Sequence, residues 1–318
     1  MSAPNFSKIA RAIRGAFIQF DHVKAILAQL RDLVETDFDQ GEPDILFIVG
    51  DPGTGKTWLV KRFAAGYPRK EHETFTSVPV LLVNVPAKCS LKRLPGAILE
   101  ELGSPLWNVG DEEQRSHQLE TLLKRCGVKL VILNEANHLV DRGKEKSHYL
   151  LADWIKLISE RAGVPFVLVG IPRLRVLLEV NEQLADRVKE VVTIEPFGVD
   201  ERCKNQMVTA LLSFNQLLEG IDRIRLAEPE NARRFAFATG GRLRRIRRLL
   251  VKSVQVAAEM PKPKIDLPVL AQVFREHIFK GAPDTRNPFV PAKFDGGALT
   301  GPGEPYAPKR LAKEEADA

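Results

Sequence analysis

Residues Gly50 to Thr57 read GDPGTGKT, a G-x-x-x-x-G-K-[ST] pattern set between the apolar run Ile45 to Val49 and the segment Trp58 to Ala64. A strand before, a helix after and a glycine-rich bend between them is the context that a phosphate-binding loop requires. Gly50, Gly53 and Gly55 let the backbone curl so that its N–H groups face phosphate, and the new helix adds its positive N-terminal end. Asp51, Pro52, Thr54 and Trp58 complete the segment expected to run along the nucleotide. Lys56 is placed to reach the β- and γ-phosphates, and the Thr57 hydroxyl to hold Mg²⁺. The chemistry implied is that of a nucleoside triphosphate with Mg²⁺.

An apolar strand ending in an acidic pair is the usual second half of such a site, and here Leu130 to Leu133 ends in Asn134-Glu135. One further apolar strand, Val80 to Val85, lies between the loop and this one, and a glutamate follows it at once. That order belongs to the branch whose glutamate activates water, so Glu135 is the expected general base. Asn134 stands where an aspartate normally holds Mg²⁺ through water. Its amide oxygen still accepts a hydrogen bond but brings no charge. The loss is about 1–2 kcal/mol, or roughly tenfold, so hydrolysis is expected to be slow.

These residues need a scaffold, and the sequence supplies one. Val23, Ile26, Leu27, Leu30 and Val34 fit one amphipathic helix within an N-terminal helical segment, residues 1–40. Strands at 45–49, 78–85, 128–133, 165–169 and 191–194 alternate with helices at 58–64, 91–102, 114–126, 148–161 and 173–178. Such alternation implies an α/β fold, a parallel sheet flanked by helices, over residues 41–196. Beyond Pro196 the stripes Cys203-Met207-Ala210-Leu211-Phe214-Leu217-Leu218 and Leu243-Ile246-Leu250, with a helix capped by Asp266, predict a small all-helical domain over 197–280. Residues 281–318, rich in proline, glycine and charge, read as a disordered, flexible tail able to dock a partner.

The bulk properties exclude several classes. A chain of 318 residues with 44% hydrophobic and 28% charged residues suits a globular protein of about two domains. No run of eighteen apolar residues exists, so no membrane span is expected, and charges interrupt the N-terminus where a signal peptide is apolar. Cys89, Cys126 and Cys203 lack zinc-site spacing and read as reduced core thiols. His138 and His148 lack companion ligands and are expected to cap or pack. The net charge of +6 is unevenly distributed: ETDFDQGEPD at 35–44 is acidic, whereas Arg242, Arg244, Arg245, Arg247 and Arg248 crowd one helix. Such a cluster suits phosphate, from nucleic acid or from nucleotide.

GDPGTGKT, the strand with NEANHL, the segment VPFVLVGIPRL, the downstream QLADRV and TGGRLRRIRRLL together resemble the AAA+ ATPases of transposition, the TniB/TnsC group related to MuB and IstB. The resemblance runs from about residue 15 to 280 and implies a AAA+ core followed by a helical lid. It implies that Arg187 of QLADRV is the finger a neighbouring subunit inserts into the ATP site, and that Arg244 is the lid arginine sensing the γ-phosphate, with Arg242 and Arg245 as rivals. Ile171 departs from the pattern, because a polar sensor is expected there. The segment PAKCSLKRL resembles the region from which these ATPases track a DNA backbone, with Lys88 first and Lys92 and Arg93 behind it. The implied protein is bacterial and cytoplasmic. It forms a ring or helical filament on double-stranded DNA and links it to a transposase and a TniQ-like target selector. Two other readings stay open: a nucleotide-gated DNA scaffold with negligible hydrolysis, and a P-loop signalling or secretion ATPase without DNA binding.

Overall fold

A computed structural model describes residues 4–36, 38, 42–197, 201–290, 299–301 and 303–306, with the side chains of 201–205 outside the description. The elements in order are α1 (Phe6–Gly15), α2 (Asp21–Glu35), β1 (Ile45–Gly50), α3 (Lys56–Ala64), β2 (Lys70–Glu71), β3 (Thr76–Ser77), β4 (Val80–Asn84), α4 (Arg93–Leu102), α5 (Glu112–Arg125), β5 (Leu130–Asn134), α6 (Glu145–Ala162), β6 (Phe166–Gly170), α7 (Val176–Val180), α8 (Glu182–Arg187), β7 (Val188–Ile194), α9 (Glu201–Leu217), β8 (Asp222–Arg223), α10 (Pro229–Thr239), α11 (Leu243–Ala258), β9 (Lys264–Ile265) and α12 (Leu267–His277).

Strands β1, β5 and β6 are apolar almost throughout and buried at every position. A strand with no polar face must be covered on both sides, which is the condition of a parallel sheet between helices. The five long strands form that sheet in the order β4-β5-β6-β1-β7, every pairing parallel. Register aligns their carboxyl ends: Asn84 faces Asn134, Asn134 faces Val169, Val49 faces Gly170 and Gly50 faces Ile194. The phosphate-binding loop and Glu135 therefore emerge at one edge of the sheet, where α/β proteins bind ligands. Strand β6 separates the strands that carry them.

The chain divides into two compact units, residues 21–195 and residues 1–20 with 196–318. This changes the reading of the N-terminus. Residues 1–40 are not one helical segment: α2 carries the expected stripe and belongs to the sheet unit, whereas α1 packs on α11 and α9 in the helical unit. The α1 signal was present in Phe6, Ile9, Ala10 and Ile13, at helical spacing but interrupted by Lys8 and Arg11 on its outer face.

In the helical unit Met207, Ala210, Leu211, Phe214, Ile246, Leu250, Leu270, Val273 and Phe274 are buried. Asp266 caps α12 as expected, accepting from Val269 N at 3.1 Å. The expected tail boundary at 281 needs correction. Phe289 is fully buried and meets Phe235 and Phe274 edge-on at 5.3 and 6.3 Å. Asn287, also fully buried, donates to Ala271 O at 3.0 Å. The Arg286–Glu304 ion pair and the Tyr306 hydroxyl, bonded to Ala238 O, carry the packing to residue 306. Single anchors so far apart have no periodicity, which is why composition outweighed them. Residues 307–318 lie outside the described residues.

Candidate nucleotide-binding site

The loop owes its path to its glycines. A side chain at Gly50 would place Cβ 2.3 Å from Ile194 O, so the end of β7 admits no other residue there. Gly53 and Gly55 have φ of 90° and 111°, the left-handed region that glycine enters without strain. Gly55 caps α3 without any side-chain bond, so the opening turn of the helix presents backbone N–H groups as an anion site does. Thr54 Oγ1 donates to Asp51 O at 2.9 Å, closing the bend. Lys56 is nearly buried, and its Nζ donates to Gly50 O at 2.6 Å and Asp51 O at 2.8 Å. The ammonium is thus held over the loop by the carbonyls behind it. Trp58, two residues on, is 37% exposed.

Across the sheet edge, Thr57 Oγ1 donates to Glu135 Oε1 at 3.3 Å. Glu135 has φ of 56°, making it the one non-glycine residue in the left-handed region among those described. Such backbone costs on the order of 1 kcal/mol and persists where surroundings enforce it. Here the buried Asn134 precedes it and the buried Ala136 and Asn137 follow, so the turn fixes the carboxylate at the strand end. Asn134 is 2% exposed, and its Nδ2 donates to Asn84 Oδ1 at 2.7 Å. Its own Oδ1 is buried without a partner. An orphaned amide oxygen, one residue before a carboxylate that a threonine hydroxyl contacts, offers only oxygen donors, the kind Mg²⁺ takes, so the residue types fit that ion. Asn84 was not foreseen, although strand register places it beside Asn134.

The end of β6 is different. Gly170 is followed by Ile171, half-buried, with no polar group at the expected sensor position. A Cβ on Gly170 would lie 3.0 Å from Asn137 N. Close packing of the turn after β5 therefore accounts for that glycine. Asp141 gathers the neighbouring polar groups: Arg173 pairs with it, His138 Nδ1 lies at 2.7 Å and Asn137 Nδ2 donates at 3.4 Å. His148 meets Arg142 O at 3.3 Å.

The remaining expected residues are apart from this cluster. Arg187 ends α8 and pairs with Glu42 of its own chain. Lys88, Lys92 and Arg93 are exposed on the connection from β4 to α4, which leaves the same carboxyl edge of the sheet. Arg115, 7% exposed, ties this connection to the one between α4 and α5 by donating to Lys92 O at 3.0 Å, Val109 O at 3.3 Å and Asn108 O. Burial pushes the neighbouring Cys89 thiol up to about 12, so it is a protonated packing group. Cys126 is also raised by burial, and the Cys203 side chain lies outside the described residues. Arg244 belongs to the helical unit, where it is exposed and makes no hydrogen bond or ion pair among the described residues. Arg245 is stacked 3.8 Å over the Tyr306 ring, so of the rival lid arginines Arg244 is the one with an unengaged guanidinium and Arg245 is not.

No helix among the described residues is long and apolar enough to cross a membrane. No curated protein matches the chain. Solved structures do, at low identity. Cdc6p from Pyrobaculum aerophilum is 18% identical with a TM-score of 0.59, over 85% of this chain and 76% of that one. The Aeropyrum pernix ORC2 protein in its ADPNP–ADP complexes is 18% identical with a TM-score of 0.56, over 80% and 67%. The Aeropyrum pernix ORC1 protein in complex with DNA is 18% identical with a TM-score of 0.55, over 83% and 66%. These likenesses show the fold, which is that of the AAA+ ATPases. Residues 8–196, more than half of the chain, match the bacterial TniB protein family. With this sheet order, this loop and this match, the chain belongs to the TniB family.

Proposed function

We propose that the chain is an ATP-dependent, DNA-binding AAA+ regulator of transposition that hydrolyses ATP slowly, oligomerises on double-stranded DNA and recruits or activates a transposase. The observation that carries the reading is the convergence of Thr57, Asn134 and Glu135 beside a formed phosphate loop. In it, the loop N–H groups and Lys56 bind the triphosphate. Lys56 exchanges its two carbonyl partners for phosphate oxygens, a charge-assisted bond roughly twice as strong as a neutral one. Thr57 Oγ1 and Asn134 Oδ1 would hold Mg²⁺, which supplies neutralisation of phosphate charge. Glu135, fixed at the strand end, orients and polarises the water that attacks the γ-phosphate. Arg187 of one subunit completes the site of the next, and Arg244 senses the γ-phosphate from the lid. Duplex DNA is tracked by Lys88, Lys92 and Arg93 without base specificity. Membership of the TniB family supports the transposase and a TniQ-like selector as partners, and a bacterial, cytoplasmic setting.

The test is electron microscopy with duplex DNA in ATP, ADP and a non-hydrolysable analogue. Rings or helical filaments are expected with triphosphate alone, and DNA-free particles in every state would overturn the reading. A second reading, a nucleotide-gated scaffold with negligible turnover, is favoured by the neutral Asn134 and by Ile171. Phosphate release measured with and without DNA separates the two.

A further inference from the structure

Helices α1 and α11, FSKIARAIRG and LRRIRRLLVKSVQVAA, contain no acidic residue. They pack on each other within the helical unit. On α1 the apolar face is turned inward, with Ile13 fully buried and Ala10 nearly so, and Lys8, Arg11 and Arg14 are exposed. On α11 Ile246, Leu250 and Val254 are buried, and Arg244 and Arg248, one turn apart, are exposed. Arg247 donates to Ala16 O just past the end of α1, so the end of α1 meets α11 next to the turn that carries Arg248. None of these outward cations, Lys8, Arg11, Arg14, Arg244 or Arg248, has a side-chain hydrogen bond or ion pair among the described residues.

Their position adds a second observation. The first turn of α11 carries arginine and no acid, although the positive end of a helix favours anions and disfavours cations. Exposed Arg244 and the helix N–H dipoles there add a long-range positive field to the patch, as an anion-binding surface does, whereas Arg245 beside it is stacked on Tyr306. The kind of anion follows from what else is exposed. The apolar residues of both helices are turned inward, so nothing is left to enter a lipid interface. Among the described residues no exposed aromatic lies between the cations on which a single-stranded base would stack.

We propose that Lys8, Arg11 and Arg14 of α1 with Arg248 of α11 form a second DNA-backbone surface, built from other residues than the connection between β4 and α4, that grips the phosphates of a duplex. This rests on the DNA-binding function proposed above. The measurement is binding of the full-length protein, with a non-hydrolysable ATP analogue, to a labelled random-sequence duplex across a salt series. Arg244 is left intact because of its nucleotide role. Removing two phosphate contacts lowers the slope of log affinity against log salt by about 2, and affinity at 0.1 M salt on the order of 50-fold. That is the expected result for Arg11→Ala/Arg248→Ala, with thermal unfolding unchanged because both side chains are exposed and unpaired. An unchanged slope, or loss of binding to phosphatidylserine vesicles in place of the duplex, overturns the proposal. Lys88→Ala/Lys92→Ala is run in parallel. If that variant weakens binding and the helical one does not, the second surface alone falls; if the wild type binds no duplex in any nucleotide state, the whole DNA reading falls with it.

Discussion

Two clusters of charged groups, one in each unit, are built in opposite ways. In the sheet unit the side chains assigned to the nucleotide are already occupied: Lys56 by Gly50 and Asp51 carbonyls, Glu135 by Thr57, Asn134 by Asn84 and Arg187 by Glu42. In the helical unit Lys8, Arg11, Arg14, Arg244 and Arg248 stand outward without partners. A site of paired groups has its geometry set before the ligand arrives, and a ligand exchanges one set of bonds for another. Unpaired surface cations hold no geometry, and they act through field and counterion release. The first arrangement suits chemistry and the second suits adhesion.

The contrast breaks most readily at Glu135. If the carboxylate is the general base, Glu135→Gln lowers phosphate release by on the order of 10² to 10⁴, while ATP binding measured by titration changes by no more than a few-fold. Equal losses in binding and turnover would make Glu135 a structural residue of the turn. Arg187→Ala tests the same unit from outside the pocket: turnover of the DNA-assembled protein falls on the order of 10³, with nucleotide binding to dilute protein unchanged. Glu42→Ala removes only an exposed ion-pair partner, and thermal stability shifts by less than about 1 kcal/mol. If Glu42→Ala abolished turnover as Arg187→Ala does, the pair would belong to the fold and not to a finger.

Past residue 280 the helical unit is closed by packed side chains, in contrast to its outward cations. Phe289 fills a space between Phe235 and Phe274, and Phe289→Ala is expected to lower stability by about 3–5 kcal/mol. Denaturant unfolding followed in the helical unit, by a probe on α11, checks this. A loss under about 1 kcal/mol would return the segment to the status of a loose tail.

What could be read in advance divides along the same line. The strands of the sheet announced themselves as apolar runs, and the loop and the strand-end pair were legible because their chemistry depends on neighbours in sequence. Asn84 was not, since its bond to Asn134 comes from strand register across a gap of fifty residues. Nor was the ion pair of Arg187, because Glu42 lies in an acidic stretch with no pattern of its own. The N-terminal helix was missed for its charges, which are the residues that matter on its outer face. The hairpin of β2 with β3, two residues on each side, carries too little pattern to show. Anchors such as Asn287, Phe289 and Tyr306 are single residues in proline- and glycine-rich chain, where composition speaks for disorder and tertiary contacts decide otherwise.

The smallest effect asks whether the pairing at the sheet edge also sets the rate. Asn134→Asp restores a negative charge where the amide oxygen now stands unpartnered, and phosphate release is expected to rise about tenfold. The change is compatible with its neighbour. Asn84 now accepts from Asn134, but it is exposed, and turning its amide over presents a donor to the new carboxylate in place of an acceptor. Adding Asn84→Asp removes that option and sets two carboxylates in contact, which raises the pKa of one of them and cancels its charge over part of the pH range. The double variant should therefore lose the gain at low pH and recover it as pH rises, whereas the single variant keeps it throughout. Unchanged phosphate release in Asn134→Asp, measured in steady state with duplex DNA, would show that the missing charge does not limit the reaction. The apolar Ile171 at the end of β6 would then be the remaining cause of a slow site within the sheet unit.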